Sequence, residues 1–208
     1  MLITTQVNQL LEELASDSPA PGGGSVAALS GALAAGLLAM VCRLSIGKKG
    51  LEQHAEKMQS VLNEAEALRR ELEKLIDLDT EAFNSVMSAF RMAKTTAEEK
   101  SARSAAIQSS FRQAVDIPLK TALGCGKLLD LALEIAETAN SNCISDLGVA
   151  CHSAYAGVRG GVMNVSINLP SIKDQSFVDS TKETNVDILA TAEKTLLRLD
   201  HIVSQRLL

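Results

Sequence analysis

The chain has 208 residues, enough for one domain with a sizeable core. Apolar residues make up 46% and aromatic residues only 2%, with one Tyr and no Trp, so the core has to come from Ala, Leu, Val, Ile and Met, a composition suited to closely packed helices. A formal charge of −5 argues against general nucleic-acid binding, since no dominant basic face is needed to explain the Lys and Arg present.

The four cysteines, Cys42, Cys125, Cys143 and Cys151, form no C-x-x-C pair, and the first apolar residues are diluted by Thr4, Gln6, Asn8, Glu12 and Glu13, unlike a signal peptide. A reduced, cytoplasmic protein is expected. Cys151-His152 is the one metal-like pair, but His54 and His201 are distant in sequence, so no metal site is expected.

In chain order, Leu2 to Ala15 is predicted to be a short amphipathic helix with Ile3, Val7, Leu10, Leu11 and Leu14 on one face. Pro19-Ala-Pro-Gly-Gly-Gly-Ser25 follows, a loop that cannot be helical, with Ser25 placed to cap the next helix. A glycine loop feeding a helix N-terminus presents free N–H groups beside the positive end of the dipole. It reads either as an anion or ligand site or as a plain helix start. Its spacing matches neither G-x-G-x-x-G nor G-x-x-x-x-G-K-[ST].

From Val26 to Cys42 there is no charge, and Ala27, Gly31 and Ala35 recur every four residues, as do Ala28, Ala32 and Gly36. Such a smooth face lets a helix or a ligand lie close. The run falls short of the ~20 residues of a membrane span, and Arg43, Lys48 and Lys49 follow it, so a buried central helix is expected. After the turn Gly47-Lys48-Lys49-Gly50, Leu51 to Met92 is predicted as one long helix with the stripe Met58, Val61, Ala65, Leu68, Leu72, Leu75, Asp79, Phe83, Val86 and Phe90. Asp79 is thus a carboxylate at a core position, either structurally paired or functional, because burying it bare costs several kcal/mol. Asp77 lies roughly 200° round the helix and reads as a solvated acid.

Thr96 and Glu99 fit a capping box opening a helix that runs to about Asn140, with Pro118 and Gly124/Gly126 expected to kink or divide it. Asn140, Ser141 and Asn142 are candidate caps for a helix from about Cys143 to Asn168. Its apolar stripe is Ile144, Leu147, Cys151, Tyr155, Val158, Val162 and Val165. A second face, with Asp146, Ala150, Ser153, Gly157, Gly160, Gly161 and Asn164, is small or polar. That face suits close packing or a ligand; packing is the commoner reason, but it leaves Asp146 unexplained. Pro170 stops the helix, and Asp174 to Leu207 supplies a last one with Val186, Leu189, Ala190, Leu196, Leu197 and Ile202. No segment alternates long enough to be a strand. The expected architecture is all-α: a single-domain antiparallel helical bundle over residues 1–208, with long helices and a buried Ala/Gly-rich central helix.

Several ordered motifs then resemble the cyclodeaminase/cyclohydrolase family of tetrahydrofolate one-carbon enzymes. They are Pro21-Gly-Gly-Gly-Ser-Val-Ala-Ala28, Ile46-Gly-Lys-Lys49, Asp77-Leu-Asp-Thr-Glu-Ala-Phe83, Lys94, Thr96, Glu98-Glu-Lys100, Arg103, Ala106-Ile-Gln108, Asn140, Asn142, Ser145-Asp146 and Asn164-Val-Ser-Ile-Asn-Leu169. Two departures stand at helix ends: Met92-Ala93 where the family usually has Leu-Pro, and Ala139-Asn140 where it usually has Gly-Asn. The resemblance implies a homodimer or an assembly of dimers; the charge and the short uncharged run already set aside nucleic-acid and membrane partners. It implies no cofactor beyond the tetrahydrofolate substrate, with or without a polyglutamate tail.

Two reactions are implied. In one, 5-formiminotetrahydrofolate cyclises to the 5,10-methenyl form with loss of ammonia; in the other, methenyltetrahydrofolate is hydrolysed to 10-formyltetrahydrofolate. The first is put ahead, after the family's name. Asp79 matches the proposed acid/base, and Asp146 is the second catalytic candidate. Substrate contacts are expected from Gly22, Gly23, Gly24, Ser25, Lys48, Lys49, Lys94, Asn142, Ser145 and Asn164. A non-catalytic folate- or partner-binding module is the alternative, though both candidate acids are present. A structural coiled coil is disfavoured by the absence of sustained heptads with flanking charges.

Overall fold

The computed structural model describes residues 1–208 and contains six α-helices and no strand. They are α1 (Val7–Leu14), α2 (Gly23–Ser45), α3 (Ala55–Arg91), α4 (Ala97–Ile135), α5 (Ile144–Asn168) and α6 (Gln175–Leu207). Helix α2 packs on α3, α5 and α4, and α6 closes the far side against α5 and α4. Helix α2 is long and apolar enough to cross a membrane. In the fold one side of it is buried inside the bundle, where Ala28, Ala35, Leu38, Ala39, Val41 and Cys42 are essentially inaccessible.

Helices α2 and α3 run antiparallel: Ser25 lies against Asp79 at one end, and Arg43 bonds Glu66 at 2.9 Å toward the other. The small residues explain how closely the helices approach. A Cβ on Gly160 would stand 2.8 Å from the Ala27 Cβ, and one on Gly157 would stand 2.4 Å from the Cys125 sulfur and 3.0 Å from the Ala27 carbonyl oxygen. A Cβ on Gly161 would stand 2.7 Å from the Pro118 carbonyl oxygen. These three glycines serve helix packing.

Several expectations are corrected. The first segment is a 3₁₀ turn, Leu2–Thr4, followed by the short α1, and none of its residues is buried. Leu10 and Leu14 settle near Pro21, Val26, Leu29 and Ile76, while Val7 and Leu11 face outward. Asp77 is not solvated: Oδ1 accepts the Leu2 N–H and Oδ2 is buried without a partner, because the N-terminal turn folds over it.

Helix α4 is neither divided at Pro118 nor at Gly124/Gly126. A proline removes the N–H that would bond the carbonyl four residues earlier. That carbonyl, on Ala114, instead accepts from Asn168 Nδ2 at 3.0 Å, so α5 supplies the missing donor. The Thr96/Glu99 capping box is present. Asn140 Oδ1 accepts the Asn142 N–H at the start of the 3₁₀ turn Ser141–Cys143, which leads into α5. On α6 the buried residues include Val178, Ala192, Leu196, Leu199 and Val203, whereas Val186 and Leu197 point to solvent. Ala139 takes the place of a glycine without strain, since no non-glycine residue has positive φ.

Candidate active site

Helices α3 and α4, at 37 and 39 residues, are far longer than α2, at 23, so their joined ends overhang the start of α2. A cleft of about 430 Å³ opens beneath this overhang, lined by the Pro19–Gly24 loop, Asp79, Phe83, Val86, Phe111, Asn164, Ile167 and Asn168, among others. Such a volume suits a small organic ligand.

Asp79 stands where the cleft meets the N-terminus of α2. The backbone touches it so closely that a Cβ on Gly24 would lie 2.0 Å from Oδ1, so only glycine fits there. Ser25 is not the helix cap. The cap is Gly22, and Ser25, in the first turn, turns its hydroxyl inward to Asp79 Oδ2 at 3.2 Å and the Ile76 carbonyl at 2.9 Å. Burial pushes the Asp79 carboxyl above its usual range, outweighing the Ser25 hydroxyl and backbone N–H, which favour the charged form. No basic side chain is among these partners, so Asp79 is no half of a structural ion pair.

Gly23 and Gly24 contribute first-turn N–H groups that the helix leaves unbonded. Asn164 donates Nδ2 to the Gly160 carbonyl at 2.8 Å, and Asn168 donates to Ala114 and Asn164, so the side-chain carbonyl of each remains available. The cleft thus has a polar floor of carboxylate, amides and N–H groups, and apolar walls of Phe83, Val86, Phe111 and Ile167. That arrangement can hold a flat heteroaromatic ring, move a proton and stabilise developing charge.

Of the predicted site residues, the structure brings together Gly22, Gly23, Gly24, Asp79 and Asn164, with Ser25 behind the carboxylate rather than in the cleft wall. Lys48, Lys49, Asn142, Ser145 and Asp146 gather at the opposite end of α2, about 33 Å away at 1.5 Å per residue. There Lys48 Nζ bonds Asn140 Oδ1, the Asn140 N–H donates to Ser45 Oγ at 2.9 Å, and Asp146 and Arg206 lie near Cys143. Lys94 is exposed in the α3–α4 turn. Arg103 is occupied structurally, donating to the Phe90 carbonyl at the end of α3 and covering the Phe90 ring.

Sequence reasoning missed Phe83, Val86, Phe111, Ile167 and Asn168 as site residues. One signal was available: the chain has only four Phe, and three of them, Phe83, Phe90 and Phe111, collect around the overhang, Phe90 and Phe111 being in edge contact at 6.0 Å. No three His, Cys, Asp or Glu side chains converge to hold a metal ion, and all four cysteines are buried free thiols, those of Cys42, Cys125 and Cys151 pushed up to about 12 by burial.

A family model described as formiminotransferase-cyclodeaminase matches residues 6–186. The chain is 44% identical over 186 residues to a methenyltetrahydrofolate cyclohydrolase of Methylorubrum extorquens, covering 89% of each chain. It is 34% identical over 192 residues to the formimidoyltransferase-cyclodeaminase of Rattus norvegicus, covering 92% of this chain and 36% of that one. It thus spans about a third of that longer relative. The fold superimposes on the crystal structure of a formiminotetrahydrofolate cyclodeaminase from Thermotoga maritima with a TM-score of 0.89 and 26% identity over the whole of both chains.

Proposed function

This chain belongs to the formiminotransferase-cyclodeaminase family and is an enzyme of tetrahydrofolate one-carbon metabolism, and from that premise we propose that it hydrolyses 5,10-methenyltetrahydrofolate to 10-formyltetrahydrofolate in the Asp79 cleft. The observation that carries the site is Asp79 itself, a carboxylate raised by burial at the mouth of a helix N-terminus, on the floor of an aromatic-walled cleft. Ring opening is put ahead of the ring closure favoured by the sequence reading because the 44% identical relative, matched over 89% of its length, is named for it.

In this reading the carboxylate attracts the cationic N5–CH–N10 bridge and accepts a proton from the attacking water. The new C–O bond gives a tetrahedral carbon between the two nitrogens. Asp79 returns its proton to N5 as the C–N5 bond breaks, and the hydroxyl proton of the intermediate leaves to solvent as the formyl oxygen forms. The Gly23 and Gly24 N–H groups stabilise that oxygen, and the pterin ring lies along Phe83 and Phe111.

Formiminotetrahydrofolate cyclodeamination is the second reading, favoured by the Thermotoga maritima neighbour. It needs the same cleft: N10 attacks the carbon of the protonated formimino group, Asp79 moves the proton from N10 to the departing nitrogen, and ammonia leaves as the cationic N5–CH–N10 bridge forms.

We propose as well that two copies pair through the apolar outer faces of α2 and α5, where Val26, Leu33 and Leu44 and then Val149 and Met163 are exposed. A two-fold axis near the middle of α2 would set the Lys48–Lys49 turn of one copy beside the Gly22 end of the other, reuniting the two groups of residues. Lys49 would then meet the folate glutamate tail. The four free thiols favour a reducing, cytoplasmic setting.

The test is spectroscopic. Purified protein is added to methenyltetrahydrofolate and, separately, to enzymatically prepared 5-formiminotetrahydrofolate, and the methenyl absorbance is followed. Loss above the spontaneous rate in the first supports ring opening. Gain in the second, with ammonia released, supports the second reading. No change in either defeats the catalytic assignment.

A further inference from the structure

Ser25 is 3% exposed and stands behind Asp79, away from the cleft, among three oxygens: the Ile76 carbonyl at 2.9 Å, Asp79 Oδ2 at 3.2 Å and Thr80 Oγ1 at 3.3 Å. A hydroxyl has one hydrogen to give and two lone pairs to receive with. When Asp79 is ionised, the Ser25 hydrogen points to Oδ2, and the Thr80 hydroxyl can donate to Ser25 Oγ. When Asp79 carries a proton on Oδ2, that proton points to Ser25 Oγ and the Ser25 hydrogen swings to the Ile76 carbonyl, which lies nearer than the carboxylate does. Both charge states are satisfied by rotating one hydroxyl, with no heavy atom displaced.

We propose that Ser25, backed by Thr80, is a positioning residue that holds the Asp79 carboxyl in one place through both of its protonation states. The inference rests on the acid/base reading of Asp79. No proton is transferred to Ser25 in balance: the proton that Asp79 takes from water, or from N10, stays on the carboxyl until it is returned to the departing nitrogen. The fold supports the assignment from two further directions. Gly24, the residue before it on α2, leaves no room for a Cβ beside Oδ1, so the carboxylate is packed against one residue of α2 and bonded by the next. And Ser25 is absent from the cleft lining, so its route to the reacting atoms runs through Asp79.

The experiment uses the full chain as purified. Ser25→Ala and the near-isosteric Ser25→Cys are compared with the parent in kcat and KM across pH, with thermal melting as the check on folding. The Asp79 carboxyl is titrated by carbon-13 NMR and assigned by its absence in Asp79→Asn. Removing the hydroxyl deprives the charged carboxylate of a donor, and bonds to a charged acceptor are the stronger ones. Ser25→Ala is therefore expected to lower kcat about 10-fold to 100-fold with KM within about threefold, and to move both the acid limb and the NMR titration upward. Ser25→Cys, a weaker donor, should move them less.

A pH profile and an NMR titration superimposable on the parent would overturn the proposal, as would a rise in KM at constant kcat. The two readings fail separately. Undiminished turnover in Asp79→Asn would remove the acid/base role, while the carboxyl titration in Ser25→Ala still reports whether Ser25 holds the group.

Discussion

The two ends of α2 carry the same kinds of residue to opposite effect. At its C-terminal end a network centred on Asn140 and Arg206 is closed: Lys48 and the Asn142 N–H bond Asn140 Oδ1, Asn140 Nδ2 bonds the Leu44 carbonyl at 2.8 Å, and Arg206 bonds the Ala136 and Ala139 carbonyls. At its N-terminal end first-turn N–H groups, the Asn164 and Asn168 side chains and a carboxylate raised by burial line the cleft together. A network that satisfies itself holds the bundle together, whereas polar groups gathered in a cleft are where a ligand can be bound.

The largest expected effect is at the cleft end. Asp79→Asn should lower kcat about 10²-fold to 10⁴-fold, the usual share of general acid–base catalysis, with folate binding retained in equilibrium titration. Folding favours the protonated form of Asp79, so the parent loses stability as pH rises from 3.8 through the raised native value. The Asn variant should therefore melt higher at neutral pH, with the gain vanishing in acid. A variant that melts lower at neutral pH would mean the carboxylate is structural.

Next is Gly24→Ala, whose Cβ would strike the carboxylate; displacing it by about 1 Å should cost about 10²-fold in turnover. Gly126→Ala, with open space around it, is the control and should be silent.

Gly161→Ala sharpens the contrast from the packing side. Its Cβ would press on the Pro118 carbonyl, backbone that cannot move aside, and overpacking of this kind costs about 1–3 kcal/mol. Urea denaturation should show that loss while activity per folded molecule stays unchanged. The smallest effect is Lys49→Ala. If two copies share the site, KM for a polyglutamylated folate should rise a few-fold with an unchanged melting temperature; no change in KM would confine the site to one copy.

Much of the fold was legible because helix period and capping chemistry are local. Thr96 and Glu99 announced the start of α4, and the uncharged alanine run of α2 announced its burial. Asp79 was legible because a carboxylate interrupts an apolar stripe. What stayed hidden depends on partners distant in sequence. Pro118 does not break α4 because Asn168, on another helix, takes up the freed carbonyl. Asp77 looked solvated because nothing local reveals that Leu2 would fold onto it. Ser25 sits where a cap belongs, yet the glycine before the first turn takes that place and frees the hydroxyl for Asp79. The walls of the cleft come from two helices, and Phe83 passes for a core residue in its stripe while nothing local singles out Phe111.

The measurement that tests the central claim most directly is the pH dependence of single-turnover rate for the parent and for Asp79→Asn on whichever substrate is turned over. An Asp79 that works as base in its buried setting predicts a rate that falls in acid around an apparent value above 3.8, with that limb missing from the residual activity of the variant. A profile flat down to the ordinary carboxylate range, or the same limb in both proteins, would contradict it.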